Sequence, residues 1–158
     1  NSWKSSEHYI SHNIEILKGY VNYDRFRKFS LRRVSKIHIL CDNSSRKPLC
    51  YAWLLEIESG SKISEISNLE FPLISDVTGF YIYDIYTLSP YRKKGLMNNL
   101  FSRIEDNISS GKTIVVAVNK ENIPSIHFFT KRGYKKSQVV KLAIFMRKVF
   151  LTSHKGEI

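Results

Sequence analysis

The segment Gly79-Phe80-Tyr81-Ile82-Tyr83-Asp84-Ile85-Tyr86-Thr87-Leu88 runs through Ser89-Pro90 into Tyr91-Arg92-Lys93-Lys94-Gly95-Leu96-Met97-Asn98. Its first part is rich in aromatic and β-branched side chains, which suit a pleated strand, and Ser-Pro ends that strand. After Gly95, Leu96, Met97, Leu100, Phe101, Ile104 and Ile108 recur at helical spacing until Ser109-Ser110-Gly111 stops the pattern. The stretch predicts a strand joined to an amphipathic helix by a basic turn centred on glycine. The first N–H groups of such a helix lack intrahelical partners, and its dipole favours an anion there. Arg92, Lys93 and Lys94 add positive charge at that end. Gly95 takes away the side chain that would keep a pyrophosphate off the backbone.

Working outward, Thr113-Ile114-Val115-Val116-Ala117-Val118 reads as a fully buried strand. Residues 79–118 then form one β-α-β unit, whose single crossover is expected to be right-handed and its strands parallel. Asn122-Ile123-Pro124 opens another helix, with Asn122 as N-cap, Pro124 in the first turn and Gly133 at the close. In the first half, residues 7–20 and 24–34 read as helices, and residues 36–41 and 49–57 as paired strands around a turn at 42–48. Residues 59–76 read as a long loop. The chain has no internal repeat or low-complexity tract.

Arg92-Lys93-Lys94-Gly95-Leu96-Met97, followed by Asn122, Ser125, Phe129, Gly133 and Tyr134 at fixed spacings, resembles the GNAT superfamily of acetyl-CoA-dependent N-acetyltransferases. That family shows Arg/Gln-x-x-Gly-x-Gly/Ala between a strand and a helix, and later Asn-x-x-Ala-x-x-x-Tyr-x-x-x-Gly-Phe. The ending Ala143-Ile144-Phe145-Met146-Arg147-Lys148 is similar to the last strand of many members, so the likeness covers residues 79–148. It implies a mixed α/β (α+β) fold: a mostly antiparallel twisted sheet with a splayed parallel central pair and flanking helices. One such domain would fill residues 1–158, with its cofactor-binding part at about 79–134. A chain beginning with Asn1 could also have been cut from a longer protein.

The resemblance also implies a site. In the family the strand before the turn carries a bulge and splays from its parallel neighbour, so the pantetheine arm binds like an added strand. By alignment Ile85, Tyr86 and Thr87 supply that edge. Arg92, Lys93, Lys94, Gly95, Leu96, Met97 and Asn98 hold the pyrophosphate, mostly through main-chain N–H groups, and Asn122 touches the cofactor near its thioester. Met97 departs from the family's glycine or alanine and crowds the phosphates. Amide formation from a thioester needs a neutral amine, donors for the oxyanion and a way for the thiolate to leave. The oxyanion donor in this fold is a backbone N–H near Thr87 or Leu88. The family's tyrosine beside the departing sulfur is Phe129 here, which cannot give a proton. A positioned acid is commonly worth about 10²- to 10⁴-fold, yet a thiol of pKa roughly 8.5 leaves tolerably well, so slower chemistry is expected. His127, two residues from Phe129 and turned to another side of the helix, reads as a partly exposed structural histidine.

Family members often place a glutamate on the first strand, at positions that align with Tyr81 or Tyr83. Asp84 is the strand's one carboxylate. Alternation along a strand would point it away from Tyr83, so it reads first as a structural group. Tyr83 and Asp84 are the catalytic candidates, with a water held by Tyr81 or Tyr83, or a carboxylate from a distant loop, as the other sources of a base.

Composition bounds these readings. With 158 residues, 42% hydrophobic and 13% aromatic, the chain can bury a real core. It has no apolar stretch long enough to span a bilayer and no signal-peptide pattern. Its two cysteines, Cys41 and Cys50, flank the predicted turn and read as reduced core residues, without the spacing zinc needs. A cytoplasmic protein without a metal is expected. The formal charge is +11, with Arg25, Arg27, Lys28, Arg32, Arg33 and Lys36 in one segment and Lys131, Arg132, Lys135 and Lys136 in another. Such surfaces attract acidic partners. They read first as solvated faces, since no RNA-binding signature accompanies them.

Three functions follow as expectations. The leading one moves acetyl from acetyl-CoA to a primary amine of a small molecule or peptide by direct attack, because no cysteine lies near the site. The second is a catalytically weak or inactive acyl-CoA-binding module, and the third acetylates or binds tRNA through the basic surface. Neither the acceptor nor the acyl length is written in these motifs, and a homodimer is the default assembly.

Overall fold

A computed structural model of the chain describes residues 7–11, 17, 19–20, 35–59, 78–109, 111–141 and 147–154. Their elements are strands β1 (Glu7–Ser11), β2 (Ser35–Asp42), β3 (Pro48–Ile57) and β4 (Gly79–Thr87), helix α1 (Leu96–Asn107), strand β5 (Thr113–Asn119), helix α2 (Ile123–Lys131), and strands β6 (Lys135–Lys141) and β7 (Arg147–His154). The chain divides into two compact units. One is Asn1–Leu55 with Asp84–Ile108, and the other is Glu56–Tyr83 with Ser109–Ile158.

In the first unit β1, β2 and β3 pair antiparallel in sequence order. β3 is buried at every position but Glu56, the pattern of a strand covered on both faces. The predicted turn between β2 and β3 forms around Asp42, whose Oδ1 accepts from the backbone N–H and hydroxyl of Ser45, each at 2.7 Å. Those donors, the backbone N–H first, hold the Asp42 carboxyl below its ordinary range. Arg46, in the left-handed region at φ +57°, completes the reversal. α1 buries Leu96, Leu100, Phe101 and Ile104, the stripe its periodicity announced, and contacts β2.

In the second unit the first half of β4 pairs parallel with β5, from Gly79↔Thr113 to Ile82↔Val116. β5 then pairs antiparallel with β7, and β7 with β6. A Cβ on Gly79 would collide with the Thr113 backbone carbonyl, so only glycine fits where the parallel pair begins. α2 is capped as its sequence predicts. The Asn122 side chain accepts from the Ser125 N–H at 3.2 Å. At the other end Tyr134 N–H donates to Phe129 carbonyl and Gly133 N–H to Thr130 carbonyl, each at 3.0 Å, a Schellman closure with Gly133 at φ +87°. The described pairings are antiparallel except β4 with β5, so the sheet is mixed and mostly antiparallel, flanked by helices, as expected.

Three readings change. Residues 7–11, expected within a helix, form β1. Their apolar content is small, and antiparallel pairing with residues 38–42 of β2 decides their state. β6 was not expected as a strand: its Lys-Lys-Ser-Gln start has no apolar alternation, and β7 pairs with it regardless. The last strand, expected at 143–148, runs from Arg147 to His154. Residues 143–146 lie outside the described residues, as do the helix read at 24–34 and the loop at 60–76. Cys41 and Cys50 are both buried and neither is in a disulfide. Burial pushes the Cys41 thiol up to about 11.

Candidate active site

β4 carries the conformational break on which the site depends. Tyr81 and Tyr83 lie on one face of the strand, as residues two apart should, with rings stacked 5.6 Å apart and nearly parallel. The next residue, Asp84, stands at φ +47°, a left-handed conformation rare for a strand residue other than glycine. Pairing with β5 has stopped by then, at Ile82, although β4 continues to Thr87 and β5 to Asn119. This is the break the resemblance implied. The alternation that would set Asp84 opposite Tyr83 does not carry through a residue with inverted φ, so strand parity no longer argues against Asp84.

Burial, and secondarily the neighbouring Tyr83, raise the Tyr81 hydroxyl far above the ordinary tyrosine range. Tyr81 therefore stays protonated at neutral pH and can orient a water but cannot itself be a base. Asp84 is half-buried, as are Ile85 and Thr87, while the Tyr86 ring is 37% exposed.

Beyond β4 the first unit builds the turn. Leu88 is buried and its N–H donates to the Leu49 carbonyl of β3 at 3.0 Å. That bond commits Leu88 to the sheet and corrects its candidacy as oxyanion donor, leaving Thr87. Ser89–Tyr91 form one 3-10 turn. Arg92 at φ −66° is followed by Lys93 at φ +61° and, after Lys94, by Gly95 at φ +74°. Lys94 is not among the positive-φ residues, so φ alternates in sign over four residues. Arg92 itself is extended, at ψ 158°, and the left-handed Lys93 and Gly95 then turn the main chain so that N–H groups at the helix start can face a common anion. α1 starts directly after it, with no side-chain cap and no acidic residue in its first turn, so no carboxylate competes with a bound anion. A Cβ built on Gly95 meets nothing within 4 Å, which leaves that side of the turn open. Met97 is half-buried, and its side chain occupies the first helical turn.

The three cations of the turn are all exposed. Arg92, though exposed, folds back on the turn. Its Nε donates to the Thr87 carbonyl at 3.1 Å and its guanidinium lies 5.3 Å from the Tyr86 ring centroid. Tyr86 in turn stands 5.8 Å from the buried ring of Tyr51 on β3. Lys94 Nζ lies 5.5 Å from the Tyr91 ring.

In the second unit Asn122 is exposed; its Oδ1 is engaged in the cap, its N–H donates to the Asn119 carbonyl at 2.9 Å and its carbonyl accepts from the Ile126 N–H at 3.0 Å, so its Nδ2 is the group that can meet a ligand. Phe129 is 2% exposed and makes edge contacts with Phe128 and Tyr134 at 5.0 and 5.1 Å. His127 is exposed, in keeping with its structural reading. The structure thus brings residues 84–98 together in one unit and sets Tyr81, Tyr83, Asn122 and Phe129 in the other. Sequence reasoning missed Leu49, Tyr51 and the left-handed Lys93. The first two are core residues of a strand remote in sequence, and no local signal marks them.

Among the described residues no group of three or more His, Cys, Asp or Glu side chains could hold a metal ion, and no helix is long and apolar enough to cross a membrane. Of the basic clusters, Lys36, Lys131, Lys135 and Lys136 are exposed, while the Arg132 guanidinium lies 5.7 Å from the Phe128 ring.

No curated protein matches the sequence. Residues 73–142 match the family described as FR47-like protein. Among solved structures, the chain is similar to Arabidopsis thaliana NAA60 in complex with acetyl-CoA, at 12% identity and TM-score 0.68 over 94% of this chain and 98% of that one. It is also similar to the spermidine/spermine N-acetyltransferase SpeG from Vibrio cholerae, at 13% identity and TM-score 0.67 over 96% and 94% of the two chains. The ribosomal-protein-S18-alanine N-acetyltransferase from Escherichia coli gives 10% identity and TM-score 0.65 over 92% of each. The likeness read from the two motifs is borne out: this chain carries an FR47-like segment within the fold of the GNAT acetyltransferases.

Proposed function

We propose that the protein is an N-acetyltransferase that moves the acetyl group of acetyl-CoA to a primary amine of a small molecule or peptide. The observation that carries this reading is the turn at Arg92 to Gly95, where alternating φ and an acid-free helix start make a backbone receptor for a pyrophosphate. The break at Asp84 supports it, because β4 residues no longer paired with β5 can bind pantetheine as a further strand. Ile85, Tyr86 and Thr87 would form that edge, and residues 93–97 would hold the phosphates through their main chain, since the N–H groups of Arg92 and Asn98 donate to the Ser89 and Gly95 carbonyls. The motif spacing assigns the thioester end to Asn122 and Phe129.

The amine nitrogen would form its bond to the thioester carbon as the carbon–sulfur bond breaks. The amine's surplus proton would pass to water or to Asp84, and the thiolate would take one from solvent. Thr87 N–H is the oxyanion donor left by the Leu88 commitment. Neither thiol takes part, since Cys41 and Cys50 are buried in β2 and β3. Thiols outside any disulfide also favour a cytoplasmic setting.

Phe129 favours a second reading, a binding module for acyl-CoA with little or no turnover. Its ring fills an aromatic cluster where the family's acid would stand. Steady-state release of CoA with a panel of polyamines, amino acids and peptides separates the two. Turnover dependent on one amine class supports the transferase. Tight acetyl-CoA binding without turnover on any of them, in the wild type and in Phe129→Tyr alike, selects the module.

A further inference from the structure

We propose that Arg92 is a positioning residue that locks the exit of β4, rather than a ligand of the cofactor's phosphates. The inference rests on the acetyl-CoA reading and refines it. One peptide unit links Thr87 to Leu88, and both of its polar atoms are held. The carbonyl oxygen accepts from Arg92 Nε at 3.1 Å, and the N–H donates to the Leu49 carbonyl at 3.0 Å. The first clamp comes from the turn ahead and the second from β3, so the plane of this peptide cannot rotate without breaking one of them. The guanidinium is also seated 5.3 Å over Tyr86, whose ring leans on buried Tyr51. A planar fork that donates and stacks at once suits arginine and not lysine.

The consequence is geometric. Thr87 is the last residue of the pantetheine edge and Gly95 ends the phosphate nest. Arg92 closes the loop between them, so it sets the distance at which one extended ligand can meet both. Its Nε and the face of its guanidinium serve that closure, and the backbone of residues 93–97 meets the phosphates.

The test uses Arg92→Ala and Arg92→Lys, with Arg103→Ala on the exposed side of α1 as a charge-matched control. In the cofactor-free protein, hydrogen exchange at the Leu88 amide should quicken about tenfold or more in Arg92→Ala, quicken also in Arg92→Lys, and stay unchanged in Arg103→Ala. With an amine acceptor, Arg92→Ala should lower kcat/KM for acetyl-CoA and for S-acetylpantetheine, which lacks the pyrophosphate, by the same factor. Unchanged Leu88 exchange, or a loss confined to acetyl-CoA, would overturn the proposal. If the wild type bound no acetyl-CoA, the functional reading would fail, while the Leu88 exchange would still decide whether the lock exists.

Discussion

Gly95 concentrates the site's chemistry in one residue. Its φ of +74° costs glycine nothing, whereas an L side chain there pays about 1–2 kcal/mol. The space beside it is open, so a larger residue folds but fills the concavity a phosphate needs. Gly95→Leu should lower thermal stability only modestly and weaken acetyl-CoA affinity at least about tenfold, measured by calorimetry beside a melting curve. Equal affinity in the variant would remove the turn from the binding site. Phe129 is the complementary case. Its hydroxyl is missing, so Phe129→Tyr should raise kcat, toward the roughly 10²-fold that a positioned acid can supply. A fall in kcat would mean that the ring only fills the aromatic cluster with Phe128 and Tyr134.

At the scale of elements, the parallel pair of β4 and β5 begins at a point where a methyl group does not fit. Gly79→Ala would drive a Cβ into the Thr113 carbonyl and should cost at least about 1–3 kcal/mol in chemical denaturation. A loss below a few tenths would mean that the strands part there easily. This unit was legible because its signals are local. Aromatic and β-branched residues made β4, spacing of Leu96, Leu100, Phe101 and Ile104 made α1, and Asn122 and Gly133 bracketed α2. β1 and β6 were not legible, because neither shows alternation and each exists through its pairing with β2 or β7. The same division holds in the site. The turn and its glycine could be read, while the Leu49 and Tyr51 contacts, the inverted φ of Asp84 and the folded-back Arg92 depend on tertiary geometry.

For the whole molecule, two buried hydroxyl and thiol groups set an alkaline limit. Cys41 rises from an ordinary 9.0 to about 11, and Tyr81 moves upward from 10.0, both first through burial. A group whose pKa is raised by folding contributes fully below its unfolded value and loses that contribution as pH climbs through the folded one. The melting temperature should therefore decline above about pH 9, steepening toward pH 11, and Cys41→Ala should flatten the first part of that decline. A flat profile to pH 11 in the wild type would contradict the burial of these groups.

The charge of +11 makes weak attraction to any polyanion expected, so selectivity and not mere binding is the test of the site. The decisive measurement is calorimetric titration of the purified chain with acetyl-CoA, with dephospho-CoA and ATP in parallel. The account predicts one-to-one binding of acetyl-CoA in the micromolar range, about −8 kcal/mol, with ATP much weaker at the same ionic strength. Equal binding of ATP and acetyl-CoA, or none of either, would contradict it.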